Sequence, residues 1–228
     1  MMKSISIIIP TFNSAQTLEA TLSSIFSNGL GTEVEVLIVD GYSEDETWGI
    51  ASSFGAKLVV ASRGRGIQLA KGAEEAKGEW LLFLHADTIL TPKCWEDLVQ
   101  FIDTDKNLQQ VAIFHLSLAD IAVRARFLEW IVRLRTKFLG LPYGDQGLFI
   151  HRKLYTSIGG FKDLALMEDV DIARRIGRQR FVLLDSKVTT SAIRYKKHGY
   201  LLRILRNVFC LALFYMGVKN SFIVRIYG

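Results

Sequence analysis

Along the first half of the chain, short apolar runs alternate with amphipathic stretches. "SISIIIP" (4–10) is an apolar run closed by a proline and predicts a buried strand. "TFNSAQTLEATLSSIFSNG" follows, with Leu18, Leu22, Ile25 and Phe26 on one helical face and Gly29 as the stop. "EVEVLIVDG" (33–41) predicts a second strand, and "SEDETWGIASSFG" a second helix with Ser43 as its N-cap. "AKLVVAS" (56–62) reads as a third strand and "IQLAKGAEEAKG" (67–78) as a third helix ending at glycine. "WLLFLHAD" (80–87) is the fourth strand, and the next helix opens at Thr91-Pro92, with proline in the first turn. Strand and helix in alternation predict an α/β fold, a Rossmann-like, mostly parallel sheet flanked by helices on both faces.

The second half has a different rhythm. "VAIFHLSL" (111–118) predicts a strand, and residues 119–139 a long amphipathic helix rich in arginine. "GLFIHRKLYTSIGGF" suggests a strand, a short helix and a glycine turn. "LMEDVDIARRIGRQ" opens another helix, while "RFVLLD" and "KVTTSAIRY" read as two strands. We expect a single domain (1–228) in two lobes, a first half (1–105) and a second of mixed strands (106–195), followed by a basic, apolar C-terminal helical segment (196–228).

The chain has 228 residues, half of them apolar, with three prolines and no low-complexity tract, so a folded core is expected. Cys94 and Cys210 lie in apolar, helix-like settings and are expected to be reduced packing residues. No cleavable signal pattern precedes the first strand, which makes the cytoplasm the expected location. The net charge of +5 is uneven, because eight basic residues and no acidic one follow Asp185. That tail contains "VFCLALFYMGV" (208–218), shorter than the roughly 20 residues a membrane span needs. Two readings follow: a helix packed on the domain, or a helix resting on an anionic membrane surface.

In an open α/β sheet, ligands bind beyond the carboxyl ends of the strands. Collected there are Pro10, Thr11 and Asn13; Asp40 with Gly41; Arg63 and Arg65; and His85, Ala86 and Asp87. Two carboxylates, two arginines, a histidine and small polar groups suit an anionic, hydrogen-bonding ligand such as a nucleotide diphosphate. Neither a G-x-G-x-x-G turn nor a P-loop is present. A divalent cation held on carboxylate oxygen would then neutralise the diphosphate together with basic side chains. Mg²⁺ or Mn²⁺ fits, since phosphates supply several of its ligands, and Asp87 is the natural protein ligand.

The order of these pieces resembles the family 2 glycosyltransferases of GT-A fold: "SIIIPTFN" (6–13), "VLIVDGYSEDET" (36–47), "GRGIQLAKGAEEAKGEWLLFLHADT" (64–88), "GGF" (159–161) and "LMEDVDIARRI" (166–176). "FLHADT" and "YGDQG" (143–147) resemble a bacterial subgroup more closely. The resemblance implies a metal-dependent, inverting transferase using a nucleotide-sugar donor, with UDP-sugar favoured. It implies that Thr11 and Asn13 touch base and ribose, that Asp40 bonds the base edge, and that Asp87 binds the metal. Asp169 matches the family's base, with Glu168 beside it, and Asp145 and Gln146 would line the acceptor side. His85 replaces the usual first aspartate, and Gly41 stands where a second aspartate is common.

Residues 194–197 could close over the diphosphate, with His198 either an extra metal ligand or simply an exposed histidine, whereas Arg124, Arg126, Arg133 and Arg135 are expected on a solvated helix face. A haloacid-dehalogenase phosphatase would need an aspartate where His85 stands. A nucleotidyltransferase would need a glycine-rich basic loop after the first strand, and "PTFNSAQT" is not one. A catalytically silent binding module is disfavoured by Asp87 and Asp169. Expected partners are the donor and a hydroxyl acceptor, which the basic apolar tail suggests is lipid-linked; a homodimer is compatible and no nucleic acid is expected.

Overall fold

The computed structural model describes residues 4–27, 33–193, 195 and 199–227. Its first half is the predicted alternation: β1 (Ile5–Thr11), α1 (Ala15–Phe26), β2 (Val34–Asp40), α2 (Thr47–Ser53), β3 (Lys57–Val60), α3 (Arg65–Glu75) and β4 (Trp80–Phe83). These four strands pair in parallel in the order β3-β2-β1-β4. Side chains alternate across β1, so Ile5, Ile7 and Ile9 enter one core with Leu18, Trp80 and Phe149, while Ile8 enters the other with Leu37, Leu69 and Phe83. A sheet buried on both faces explains the unbroken apolar runs.

The second half adds β5 (Thr88–Ile89), α4 (Pro92–Ile102), β6 (Val111–Leu118), α5 (Val123–Leu139), β7 (Leu148–His151), α6 (Arg152–Ser157), α7 (Glu168–Ile176), β8 (Phe181–Thr190), α8 (Tyr200–Tyr215) and α9 (Asn220–Tyr227). One eight-stranded sheet, β3-β2-β1-β4-β7-β6-β8-β5, runs through both halves. β7 is antiparallel to β4 and to β6, β8 is parallel to β6, and β5 is antiparallel to β8.

The chain passes from β4, mid-sheet, to β5, at the edge, through residues 84–87 alone, with three strands lying between them in the order. Four strand spacings in a flat sheet would span roughly 19 Å. The extended reach of that linker is about 17 Å, and it contains a turn, with Thr88 N–H donating to His85 O at 3.2 Å. The sheet therefore curls, which returns its far edge to the carboxyl end of β4.

Several expectations need correction. β1 continues through Pro10 to Thr11; β4 pairs with β1 only as far as Ile8 opposite Phe83, so the missing Pro10 N–H costs no bond on that flank. Ser43 does not cap α2, which begins at Thr47, because its hydroxyl and amide are both given to Asp40. Phe26 leaves the predicted face and stacks on Phe54 at the surface. Residues 181–190 form one strand rather than two, kept in step with β6 by an irregularity between Ile113 and His115. Gly29 lies outside the described residues. Both cysteines are buried and free.

Gln68 ties the strand ends together. Its amide donates to Thr11 O and Val39 O, each at 2.7 Å, while its carbonyl accepts from Gly64 N–H at 3.3 Å. A buried side chain thus joins the ends of β1 and β2 to the loop after β3. Gln68→Leu, of similar size but without these bonds, should lower stability by about 1–3 kcal/mol, read as a lower urea midpoint; an unchanged midpoint would show that the tie is idle.

Candidate active site

Two hollows open where the curled edge meets the carboxyl ends of β1 to β4. The first, about 370 Å³, is lined by Pro10, Thr11, Asn13, Arg63, Gln68 and Ala86 among others. The second, about 100 Å³, is lined by Tyr143, Asp145, Asp169, Thr190, Tyr195 and Arg203 among others. Arg65, His85, Asp87 and Ser191 face both, so they form the sill between them. The structure therefore brings Asp87, Asp145 and Asp169 to one cavity from three distant segments.

Asp40 does not line either hollow and is fully buried. It accepts from Thr11 Oγ1 (2.9 Å), Ser43 N–H (2.7 Å), Ser43 Oγ (2.5 Å) and Trp48 Nε1 (2.9 Å). A carboxylate has about four acceptor positions, and all are taken by the protein. The expected contact to a base edge is corrected accordingly: Asp40 shapes the loop. Burial would raise its pKa, but the bonds from Ser43, Trp48 and Thr11 prevail and hold it below the usual carboxylate value. Asn13, with φ of 48°, accepts from Glu44 N–H at 2.9 Å while its own N–H donates to Ser43 Oγ at 2.8 Å, so the first and second loops brace each other.

The two arginines separate in role. Arg63 lies over the Phe12 ring at 3.8 Å from its centroid, on the wall of the larger hollow. Arg65, in the first turn of α3, pairs with Glu168 Oε1 at 2.9 Å. Glu168 is almost wholly buried beside a small apolar cavity bounded by Leu69, Phe83, Phe161 and Ile172, and its Oε2 has no partner. Burial raises the pKa of Glu168, and the Arg65 charge opposes that rise.

Asp169 is half-buried; one oxygen accepts from Val170 N–H at 2.8 Å and the other from Gly144 N–H at 3.1 Å. Gly144 also admits the His85 ring, since a Cβ at this position would lie 2.6 Å from His85 Nε2. The "YGDQG" glycine and the "HAD" histidine are thus one packing unit. Met167 holds a left-handed backbone, φ of 63°, immediately before α7, and so turns Glu168 and Asp169 inward.

Gln146 is not a pocket residue: it accepts from Thr136 Oγ1 at 2.9 Å and donates to Phe114 O at 3.1 Å in the interior. Arg135 also departs from expectation, stacking on Tyr143 at 3.4 Å and donating to Leu141 O, whereas Arg124, Arg126 and Arg133 are exposed. Sequence reasoning missed Arg203, Asn207 and Tyr227, which reach the smaller cavity from α8 and α9. The signal was a polar stripe, Arg203, Arg206 and Asn207, on an otherwise apolar helix. Residues 194 and 196–198 lie outside the described residues.

Among the described residues, no group of three or more His, Cys, Asp or Glu is placed to hold a metal ion. Asp87, Asp145 and Asp169 line one cavity, and such a set of carboxylates fits a hard cation that takes most of its ligands from phosphate and water. Asp145 Oδ1 is buried without a partner. Its pKa is pushed up to about 6 by burial, with Arg135 opposing and the charges of Asp169 and Asp87 adding to the rise.

The chain belongs to the glycosyl transferase family 2, whose model matches residues 6–155. A "PGL/p-HBAD biosynthesis glycosyltransferase" of Mycobacterium bovis is 42% identical over 172 residues, 68% of this chain and 62% of the relative. The chain thus spans just under two thirds of the length of that relative. A "Dolichol-phosphate mannosyltransferase" of Pyrococcus furiosus is 30% identical over 115 residues, 48% of this chain and 32% of its own. Among solved structures, Staphylococcus aureus TarS with UDP-GlcNAc superposes with a TM-score of 0.64 at 20% identity, covering 82% of this chain and 58% of that one. Mycobacterium tuberculosis glucosyl-3-phosphoglycerate synthase with Mn²⁺, UDP and glucosyl-3-phosphoglycerate gives 0.61 at 20% identity, covering 96% and 82%. These likenesses establish the mostly parallel, curled α/β fold.

Because the folded pKa of Asp145 lies above its unfolded value, the cost of its carboxylate to folding grows as pH rises from the unfolded value of 3.8 to about 6, is full above that and is absent below 3.8. In metal-free buffer Asp145→Asn should raise Tm at neutral pH and lose that advantage near pH 4. An equal Tm difference at both pH values would contradict the buried-charge assignment.

Proposed function

We propose that the chain transfers a glycosyl group from a nucleoside-diphosphate sugar, with UDP-sugar favoured, to a hydroxyl acceptor, with inversion and with Mn²⁺ or Mg²⁺. The observation that carries this reading is that Asp87 and Asp169 face one small polar cavity beside a larger hollow at the strand ends. The larger hollow takes the nucleotide: Phe12 under Arg63 offers a face for the base, and the first turn of α3 with Arg63 and Arg65 provides positive potential for the diphosphate. Asp87 would hold the cation, which when bound offsets the charge that develops on the departing diphosphate.

Asp169 takes the acceptor hydroxyl proton as the acceptor oxygen bonds to the anomeric carbon; the bond from that carbon to the phosphate oxygen breaks, and its electron pair leaves with the nucleoside diphosphate. Glu168 is occupied by Arg65, which leaves Asp169 of that pair to act as the base in a direct displacement with inversion. Gly144 N–H and Val170 N–H hold that carboxylate in place. UDP and GDP titrated with and without Mn²⁺ against wild type and Asp87→Asn test the donor half. Wild type should gain affinity with metal and Asp87→Asn should lose that gain, whereas binding of neither nucleotide sinks the reading. Asp169→Asn should keep nucleotide affinity while transfer falls by a factor on the order of 10²–10⁴; full transfer would remove Asp169 from the role of base.

The acceptor side supports work at an anionic membrane surface. Among the described residues no helix is long and apolar enough to cross a membrane. Instead, Leu201, Leu202, Leu205, Val208 and Phe209 of α8 are exposed, as are Phe127, Trp130 and Phe138 of α5. α8 and α9 carry no acidic residue, and the one on α5, Glu129, is paired with Arg126 at 2.9 Å. Arg124, Arg133 and Lys137 of α5 are exposed beside these apolar residues, so anionic lipid matches both the charge and the apolarity of this surface. Wild type should co-sediment with phosphatidylserine-containing vesicles, less so at high salt or with Leu205→Glu/Phe209→Glu. Equal partitioning to neutral vesicles, or none to either, would refute it.

A further inference from the structure

The first half of α8 turns Arg203 and Asn207 inward and Leu201, Leu202, Leu205, Val208 and Phe209 outward, the reverse of a helix packed on a soluble core. Arg203, Asn207 and Cys210 succeed one another at helical spacing on the buried side, and α9 brings Tyr227 against them. Arg203 is nine-tenths buried, its Nη2 donating to Tyr227 Oη at 3.2 Å and its guanidinium lying 5.1 Å from the Tyr195 ring centroid. Its Nε is buried without a partner, as is Asn207 Oδ1. Both side chains line the cavity that also contains Asp145 and Asp169, and Asp145 Oδ1 is a third buried atom lacking a partner.

Unpartnered buried polar atoms are costly, and three of them around one cavity mark missing bonds to a ligand. We propose that Arg203, Asn207 and Tyr227 form the recognition wall for the acceptor, and that the acceptor presents a neutral, hydroxyl-rich unit, a sugar or polyol. This rests on the glycosyl-transfer reading above. A hydroxyl both donates and accepts, so one polyol can give a proton to Asn207 Oδ1 and Asp145 Oδ1 while receiving one from Arg203 Nε. Tyr143, Tyr195 and Tyr227 add ring faces suited to the C–H surface of a sugar. An anionic acceptor is disfavoured, since three carboxylates, Asp87, Asp145 and Asp169, line the cavity against Arg203 and an Arg65 whose charge is balanced by Glu168.

The wall also explains the tether between α9 and the base. Asn220, at the start of α9, donates to Leu166 O at 2.7 Å and accepts from Ala165 N–H at 3.2 Å. The segment immediately before Glu168 and Asp169 is therefore fixed to the helix that carries Tyr227, so acceptor wall and proton acceptor are held in one frame.

The test uses the full chain with UDP-glucose and Mn²⁺, reading UDP release with glucose, n-octyl glucoside below micelle formation, or glycerol 3-phosphate as acceptor probe. Glucose and its octyl glucoside separate a free sugar from a lipid-borne headgroup of the same chemistry. Either should stimulate release above the hydrolytic background, and glycerol 3-phosphate should do so less. Asn207→Ala and the milder Tyr227→Phe should each raise KM for the stimulating glucoside about tenfold, the scale of one lost buried hydrogen bond, with the Kd for UDP within about twofold of wild type. Unchanged KM in both variants, stronger stimulation by glycerol 3-phosphate, or no stimulation by any probe in a protein that binds UDP overturns the inference. Failure of wild type to bind UDP sinks the donor reading instead.

Discussion

Residues 84–87 impose the constraint on which the site depends. They must carry the chain from the centre of the sheet to its far edge, and they are too short to do so across a flat sheet. The resulting curl sets β8 and its following residues beside the end of β4, where Ser191 N–H reaches Asp87 O at 3.3 Å. Asp87 is consequently in a stretch of chain that lies against both the loops at the ends of β1 to β3 and the second lobe. A longer linker would let the edge strand move away, and the carboxylates would no longer share a cavity.

The second lobe is locked to the first by the Arg65–Glu168 pair. Withdrawing two charges from water costs several kcal/mol per ion, and their attraction returns it only with good geometry and further bonds. Here Glu168 Oε2 remains without a partner, so this pair is poor evidence for stability. Its value is registry: it fixes the start of α7 against the start of α3. Gly66 adds to this, because its N–H donates to Leu164 O at 3.0 Å and any Cβ there would lie 2.4 Å from Lys162 O. The left-handed turn at Met167 costs on the order of 1–3 kcal/mol and persists because contacts on both sides, from α3 and from Asn220, determine it.

What the sequence disclosed follows from the range of the interactions concerned. The alternation of β1 to β4 with α1 to α3 was legible because each element is specified by local periodicity, and Thr91-Pro92 announced α4 through a cap that acts within one turn. Asp87 and Asp169 were legible as members of an ordered set of motifs. Asp40 was misjudged because its four donors come from three segments, and no local pattern reveals that a carboxylate is already saturated. Gln146 and Arg135 were misjudged for the same reason, their partners being fixed by packing between α5, β6 and the following loop. The joining of 181–190 into one strand required its neighbour β6, which pairs with it on both sides of the irregularity, at 181–183 and again at 187–190.

The C-terminal helices bear on both readings of the basic tail. α8 is a packing helix through Cys210 and Leu213, which meet Leu141, Val170 and Ile223 in a shared apolar cluster. Its polar residues are not needed for that cluster, and a helix serving only to cover the domain would place Arg203 and Asn207 outward and Leu205 and Phe209 inward. The reversal is costly unless each face has an occupant: a hydrogen-bonding ligand within, and an apolar, anionic phase without. A single helix would then place the hydroxyl-bearing end of an acceptor against Asp169 while its own outer surface rests on the medium from which a lipid-linked acceptor comes. The apolar outer face and the polar inner cavity are two consequences of one sequence pattern, the stripe of Arg203, Arg206 and Asn207 set into an otherwise apolar helix.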